Sequence, residues 1–385
     1  MPVIGGLVSS TATTVTQARH SREAGDGSDG AARATLAAVV ILIASTVSIA
    51  RVLVEVAVIA PAHLAVVAPP LATLFGGMLV LCALAWLVWN WLARRSQREA
   101  IYALALITGS VLFYVAAGAV MTDMTLALGT TLAMRGFWLS LHGPPGERLR
   151  EQYVLFLGIA IGLLSKGPIA AALVCIPIAI WALAAGQVGR ALRELGWGRG
   201  ILLTIALVAP WYAWAEVRTP GFLEYFFVGE HWHRFLTPGW SGDLYGRAHA
   251  FPRGSIWLFA IATFLPWTVL VTVGAARWGQ AVKPAAPEDR SLCGYLLLWA
   301  MTPCILFSAA GNILWTYVLP GLPAVAMFAA IWLNRVPRRA LPDRLLAGGV
   351  AFTALAFLST VIGMNVGGWT DRIIMTLAEL FLSVP

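Results

Sequence analysis

The sequence predicts an all-α protein, a polytopic bundle of about ten or eleven membrane-crossing helices. Three observations carry this. The chain of 385 residues is 59% hydrophobic and only 11% charged, against a charged share of about 25% in soluble domains. Its apolar runs repeatedly reach the ~20 residues a helix needs to cross a bilayer. Those runs are continuous and do not alternate with period two, which selects helices over a barrel. The formal charge of +8 then marks loops at one membrane face and not a nucleic-acid surface.

Residues 1–35 are polar and rich in Ser, Thr and Gly, the composition of a disordered cytoplasmic segment, with no cleavable signal peptide. Apolar segments follow at 36–60, 70–92, 100–121, 124–141, 153–165, 167–186, 200–217, 254–276, 291–309, 313–333 and 345–364. The stretch 153–186 is read as two short helices because Ser165-Lys166-Gly167-Pro168 interrupts it, and Gly-Pro breaks or kinks a helix. The membrane domain thus runs over 36–367, with a short stub at 368–385. Cys82, Cys175, Cys293 and Cys304 sit in or beside apolar segments without CxxC spacing, which suits core packing and not a disulfide or metal.

Of the 26 basic residues, 18 fall on alternate loops: around 19–33, 94–98, 148–150, 190–199, 277–290 and 335–344. The positive-inside rule places those loops and the N-terminus in the cytoplasm. The Met121-Thr122-Asp123 tip, the break at Lys166, the 218–253 loop and the Gly311-Asn312 tip then share the outer face. The 218–253 loop is the most polar stretch of the membrane domain, with four arginines, three histidines, three acids and many aromatics.

Each polar residue there has a bland reading beside the functional one. An ammonium at membrane depth is costly unless paired, so Lys166 either anchors a phosphate or snorkels to headgroups. Asp123 lines a site, or it caps the fourth span with Thr122. Arg135, inside that span, faces the bundle and needs a partner. Arg234, Arg247 and Arg253, beside His249, suit phosphate oxygens because guanidinium forks match them; solvated arginines are the alternative. Glu230 and His231 are of metal-ligand type, a weak signal by spacing alone. Pro210-Trp211 and Pro266-Trp267 read as helix-end belt residues without chemistry. Asn312 and Tyr317 lie at or just past an outer tip, where a tyrosine either bonds a phosphate or belongs to the belt.

Five segments occur in order: MTDMTLAL, GLLSKGP, APWYAWAEVRTPGFLEYFFVGEHWHRF, FLPW and NILWTYVLPGLPA. Together, over about residues 100–335, they resemble the GT-C-fold glycosyltransferases that use polyprenyl-phosphate sugars, which include the aminoarabinose transferases and protein O-mannosyltransferase-like enzymes. The resemblance implies a multi-pass inner-membrane enzyme that moves a sugar from a polyprenyl-phosphate donor to a lipid, glycan or protein acceptor. Its site would face the periplasm, among membrane lipids. It implies that Lys166 and Arg234, with Tyr317, hold the donor phosphate, and that Asp123 lines the pocket as the candidate catalytic carboxylate. Arg247, Arg253 and Asn312 would be further substrate contacts. Glu230 and His231 fall where the family can place a divalent metal ion.

The chain departs from the family pattern at its start. The family's first outer loop carries an acidic pair that supplies the base, whereas here the first outer loop, 61–69, has no carboxylate. Residue 312 is asparagine where many relatives have lysine. A truncated or non-catalytic relative is one alternative. A transporter of an anionic lipid-linked sugar is another, disfavoured because transporters place charges near the midplane of repeated halves. This chain groups them at one face.

Overall fold

The computed structural model describes residues 64–118, 121–242, 249–278 and 286–336, with a few isolated positions besides. The expected spans at 36–60 and 345–364, the polar segment 1–35 and the stub 368–385 fall almost wholly outside the described residues, as does Arg247. Among the described residues the chain is helical, apart from one isolated antiparallel bridge between Ala250 and Asn312.

The helices follow in order: α1 Leu64–Ala93, α2 Gln97–Thr108, α3 Val111–Gly118, α4 Thr122–His142, α5 Arg148–Lys166, α6 Pro168–Ala184, α7 Val188–Glu194 and α8 Trp197–Arg218. Helical turns at Phe222–Glu224 and Arg234–Leu236 flank a π-helix, Tyr225–His233. Then come α9 Ser255–Thr263, α10 Trp267–Trp278, α11 Pro287–Phe307, a 3-10 segment Trp315–Gly321 and α12 Leu322–Arg335.

Among the described residues four stretches are long and apolar enough to cross a membrane: Ala68–Ala93, Trp197–Arg218, Pro287–Ser308 and Trp315–Arg335. The span expected at 254–276 is a pair, α9 and α10, bent by 93°; Pro266 at the break has no N–H to continue the helix. The span expected at 100–121 is likewise divided, at Gly109-Ser110. The split of 153–186 is observed: α5 ends at Lys166, Gly167 turns with φ +62, and Pro168 opens α6. Glycine adopts that backbone without strain, and proline suits the first helical position because its missing N–H would have no partner there.

Helices α4 and α5 meet through glycine. A Cβ on Gly136 would lie 2.4 Å from the Leu155 amide nitrogen, and one on Gly158 would lie 2.4 Å from that of Ala133. Small residues of this kind let helix backbones approach closely where lipid removes the hydrophobic drive between helices. The pair is tied further by Arg135, whose guanidinium meets the fully buried Glu151 at 2.8 Å. The partner that Arg135 requires is thus one helix away. The core beside this seam is aromatic: Phe137, Trp138 and Trp181 pack around Tyr295, whose hydroxyl donates to the Met134 carbonyl at 2.8 Å.

Among the described residues, Arg94, Arg95, Arg148, Arg190 and Arg335 gather at one end of the bundle. Arg94 pairs with Glu147, Arg148 and Arg190 with Glu194, and Arg95 and Arg335 with Asp289. The Arg94 hydrogen bond holds the Glu147 carboxyl below its usual range. The other end of α4 and α5 carries Asp123 and Lys166, so the charge alternation in the sequence corresponds to a real division between two ends.

Candidate functional site

Three elements converge at that second end: the start of α4, the α5–α6 break, and the helical stretch after α8. Tyr212 of α8 fixes the break by donating to the Leu163 carbonyl at 2.8 Å. Its ring packs against Phe222, Phe226 and Phe227, which seats the 222–236 stretch on α8. Glu216 accepts the Gly221 and Leu223 amides at 2.9 and 2.8 Å and so closes the turn between them.

The π-helix decides which side chains stack. Its wider turn superposes residues five apart, a geometry concentrated at functional sites. Tyr225 therefore stands over Glu230 and donates a short hydrogen bond to Oε1, while Arg234 reaches Oε2 at 2.7 Å. His231 stands over Phe226 in the same way, its Nδ1 at 2.6 Å from the Phe226 carbonyl. Its Nε2 lies 2.8 Å from the Lys166 carbonyl.

These elements enclose a cavity of about 540 Å³. Its lining combines apolar side chains, among them Leu126, Ile169, Trp211, Phe222 and Phe226, with Asp123, Lys166, Glu230, Arg234 and Tyr317. The Lys166 ammonium meets Asp123 Oδ1 at 2.6 Å and stands 4.4 Å from the centroid of the Tyr317 ring. Thr316 donates to the other Asp123 oxygen at 3.1 Å. Among the described residues Lys166 pairs with Asp123 and Arg234 with Glu230. Apolar side chains beside paired, partly desolvated cations are of the chemistry that suits an amphiphile with an anionic head.

The structure sorts the candidates. Asp123, Lys166, Glu230, His231, Arg234, Asn312 and Tyr317 all line the cavity, as does His249. Arg253 does not: it is exposed, at the turn before α9. Asp123 is not a helix cap, since Met121 in extended conformation holds that position and makes no side-chain cap bond. The Asn312 amide is committed to the neighbouring loop: it donates to the Arg234 and Thr237 carbonyls at 2.6 and 2.7 Å and accepts the Gly239 amide at 2.9 Å. It therefore shapes the wall behind Arg234, and its polar atoms do not face a ligand.

Glu230 and His231 do not assemble a metal site as arranged. Both oxygens of Glu230 accept hydrogen bonds from protein groups, and each ring nitrogen of His231 faces a backbone carbonyl oxygen. Among the described residues no group of three or more His, Cys, Asp or Glu is placed to hold a metal ion. No step is therefore derived through a metal. Sequence reading missed Thr316, Tyr225 and Trp211 as site residues. Of these only Tyr225 had a usable signal, its spacing of five from Glu230.

The chain has relatives among known proteins. It is 30% identical over 273 residues to the undecaprenyl phosphate-alpha-4-amino-4-deoxy-L-arabinose arabinosyl transferase of Edwardsiella ictaluri, covering 69% of this chain and 46% of that protein. It is 29% identical over 256 residues to the transferase of the same name from Pectobacterium atrosepticum, covering 66% and 44%. The chain thus spans about half the length of the curated relatives it matches. Its fold matches crystal structures of ArnT from Cupriavidus metallidurans. The form bound to undecaprenyl phosphate gives a TM-score of 0.61 at 19% identity, over 77% of this chain and 57% of that one. The apo form gives 0.56 at 22% identity, over 76% and 50%. A family model described as a domain of unknown function, DUF4010, matches residues 1–141.

Proposed function

We propose that the cavity binds the phosphate of a polyprenyl-phosphate sugar donor and that the sugar is transferred there to a lipid, glycan or protein acceptor; the similarity to the arabinosyl transferases and the fold match to ArnT support this reading. The observation that carries this reading is the convergence of Lys166 and Arg234, 68 positions apart in the chain, in one cavity that is also lined by apolar side chains. The donor's isoprenoid end suits Leu126, Ile169 and Trp211, and its phosphate suits the two cations. The charge alternation supports a site on the periplasmic side of the inner membrane.

In the transfer, an acceptor oxygen attacks the anomeric carbon and the bond from that carbon to the phosphate oxygen breaks. The electron pair goes to the phosphate, and the acceptor proton leaves to a base. Lys166 and Arg234 lie where they stabilise the charge gained by the leaving phosphate, a contribution usually among the largest in catalysis. Asp123, held between Lys166 and Thr316, acts by aiming the ammonium. The grouping of these charges at one end of α4 and α5 favours an enzyme over a transporter with a midplane path.

The test is direct. Purified protein in lipid nanodiscs is assayed for binding of labelled undecaprenyl phosphate and for transfer from radiolabelled polyprenyl-phosphate sugars. Binding that falls at least about tenfold in Lys166→Met and in Arg234→Met supports the site, since each removes a charge-assisted contact. Binding unchanged in both variants refutes it.

A further inference from the structure

We infer that His231 is a positioning residue for Lys166, acting through the Lys166 carbonyl and not through a metal ion. The inference rests on the donor-phosphate reading only for its effect on ligand binding; the geometry itself is independent of it.

The last carbonyls of a helix have no intrahelical partner and must find one elsewhere. Leu163 O receives the Gly167 amide and the Tyr212 hydroxyl, each at 2.8 Å. Lys166 O faces His231 Nε2 at 2.8 Å. The imidazole thus ends α5 at the residue whose side chain carries the ammonium.

The ring is seated, not incidental. A Cβ on Gly167 would lie 2.9 Å from both Cε1 and Nε2 of His231 and 2.6 Å from the Phe226 ring. The glycine, already at φ +62, therefore serves a second purpose, leaving room for the imidazole against the backbone. From the other side, Phe226 holds the ring through its carbonyl at 2.6 Å and its own ring at 4.8 Å between centroids. His231 joins two segments 65 positions apart and fixes the root of the Lys166 side chain. Asp123 and the Tyr317 ring fix its tip.

A fixed root matters most for lysine. Only Lys166 and Lys283 among the 26 basic residues are lysines. An ammonium on a flexible four-carbon stem has no planar fork to pre-orient it, so its direction depends on its supports. A metal ion at either ring nitrogen would have to displace the carbonyl oxygen that the nitrogen faces.

The experiment compares wild type with His231→Phe, His231→Gln, Lys166→Met and the His231→Phe/Lys166→Met double variant, each first checked for monodispersity. Undecaprenyl phosphate binding is expected to weaken about tenfold in His231→Phe, the size of one lost hydrogen bond. His231→Gln, whose amide can donate to Lys166 O, recovers most of the loss. In the Lys166→Met background His231→Phe adds less than about twofold, as expected for residues that act as one unit. Treatment with EDTA leaves wild-type binding unchanged. Additive losses overturn the inference, and so does an EDTA effect equal to that of His231→Phe.

A second measurement needs no ligand. Amine-reactive labelling of Lys166, read by mass spectrometry against Lys283, is expected to rise in His231→Phe and return toward wild type in His231→Gln. An unchanged ratio overturns the inference. Wild-type protein that binds no undecaprenyl phosphate refutes the donor-site reading, and the labelling ratio then decides the role of His231 by itself.

Discussion

The Lys166 ammonium stands 4.4 Å from the centroid of the Tyr317 ring. The contact joins the α5–α6 break to the 3-10 segment before α12, 151 positions further along the chain. A cation over an aromatic face is stabilised by the ring quadrupole, more strongly as water is excluded. Tyr317 is itself backed by Phe307, with centroids 4.7 Å apart. The ring is therefore a rigid floor under the ammonium, and the ring supplies this contact without the hydroxyl.

That distinction gives the first prediction. Tyr317→Phe keeps the floor and is expected to hold undecaprenyl phosphate within about twofold of wild type. Tyr317→Leu removes it and should weaken binding about fivefold, corresponding to roughly 1 kcal/mol of cation–π energy. Equal losses in both variants, measured by equilibrium binding in nanodiscs, would show that the hydroxyl carries the effect.

A second prediction concerns Asn312, 4% exposed, which makes three hydrogen bonds to the 234–239 backbone. Asn312→Ala leaves two carbonyls and one amide without partners, a cost of about 2–3 kcal/mol. Asn312→Asp should be no better, because a carboxylate cannot donate to the two carbonyls. Limited proteolysis is expected to cut the 237–250 segment faster in both variants. Wild-type cleavage rates would count against this role.

Much of the site was legible in the sequence, and the failures have physical causes. Gly167-Pro168 announced the break after Lys166, and charge alternation put Asp123, Lys166, Arg234 and Asn312 at one end. Asp123 was ambiguous because a carboxylate in the first turn of a helix looks like a cap; only the contacts from Lys166 and Thr316, distant in sequence, distinguish the two roles. Glu230 and His231 resembled ligands because residue type does not reveal that a π-helix turns them onto Tyr225, Arg234 and two carbonyls. Arg253 had the right charge but is exposed and does not line the cavity.

The third prediction tests the glycine seam. Gly158 and Gly162, in the sequence GIAIG, face Gly129 and neighbouring residues of α4. Gly158→Ala places a methyl where 2.4 Å separates it from the Ala133 amide, so the helices must part. Overpacking of this kind costs about 1–3 kcal/mol. The apparent melting temperature in detergent should fall. Gly146→Ala, at a position with open space around its Cβ, serves as the control and should not lower it. Equal melting temperatures for the two variants would mean that α4 and α5 do not depend on this contact.

The fourth prediction concerns the ion pair at the far end of the same seam. Glu151 is fully buried and Arg135 is 6% exposed. Arg150 also reaches Glu151, at 2.9 Å. Glu151 lies in the first turn of α5, where the helix dipole favours an acid. Removing Glu151 strands the buried Arg135, so Glu151→Leu is expected to cost about 3 kcal/mol, whereas Arg135→Leu leaves Glu151 paired with Arg150 and the double variant leaves no buried charge uncompensated, so both cost less. Thermal unfolding of Arg135→Leu, Glu151→Leu and the double variant measures the coupling. Losses that add to within about 0.5 kcal/mol would show the pair to be uncoupled. Undecaprenyl phosphate affinity of the folded fraction should stay unchanged in all three, because the pair lies toward the opposite end of α4 and α5 from Lys166. A variant that folds but binds the donor weakly would instead mean that strain at this end reaches the cavity through the glycine seam.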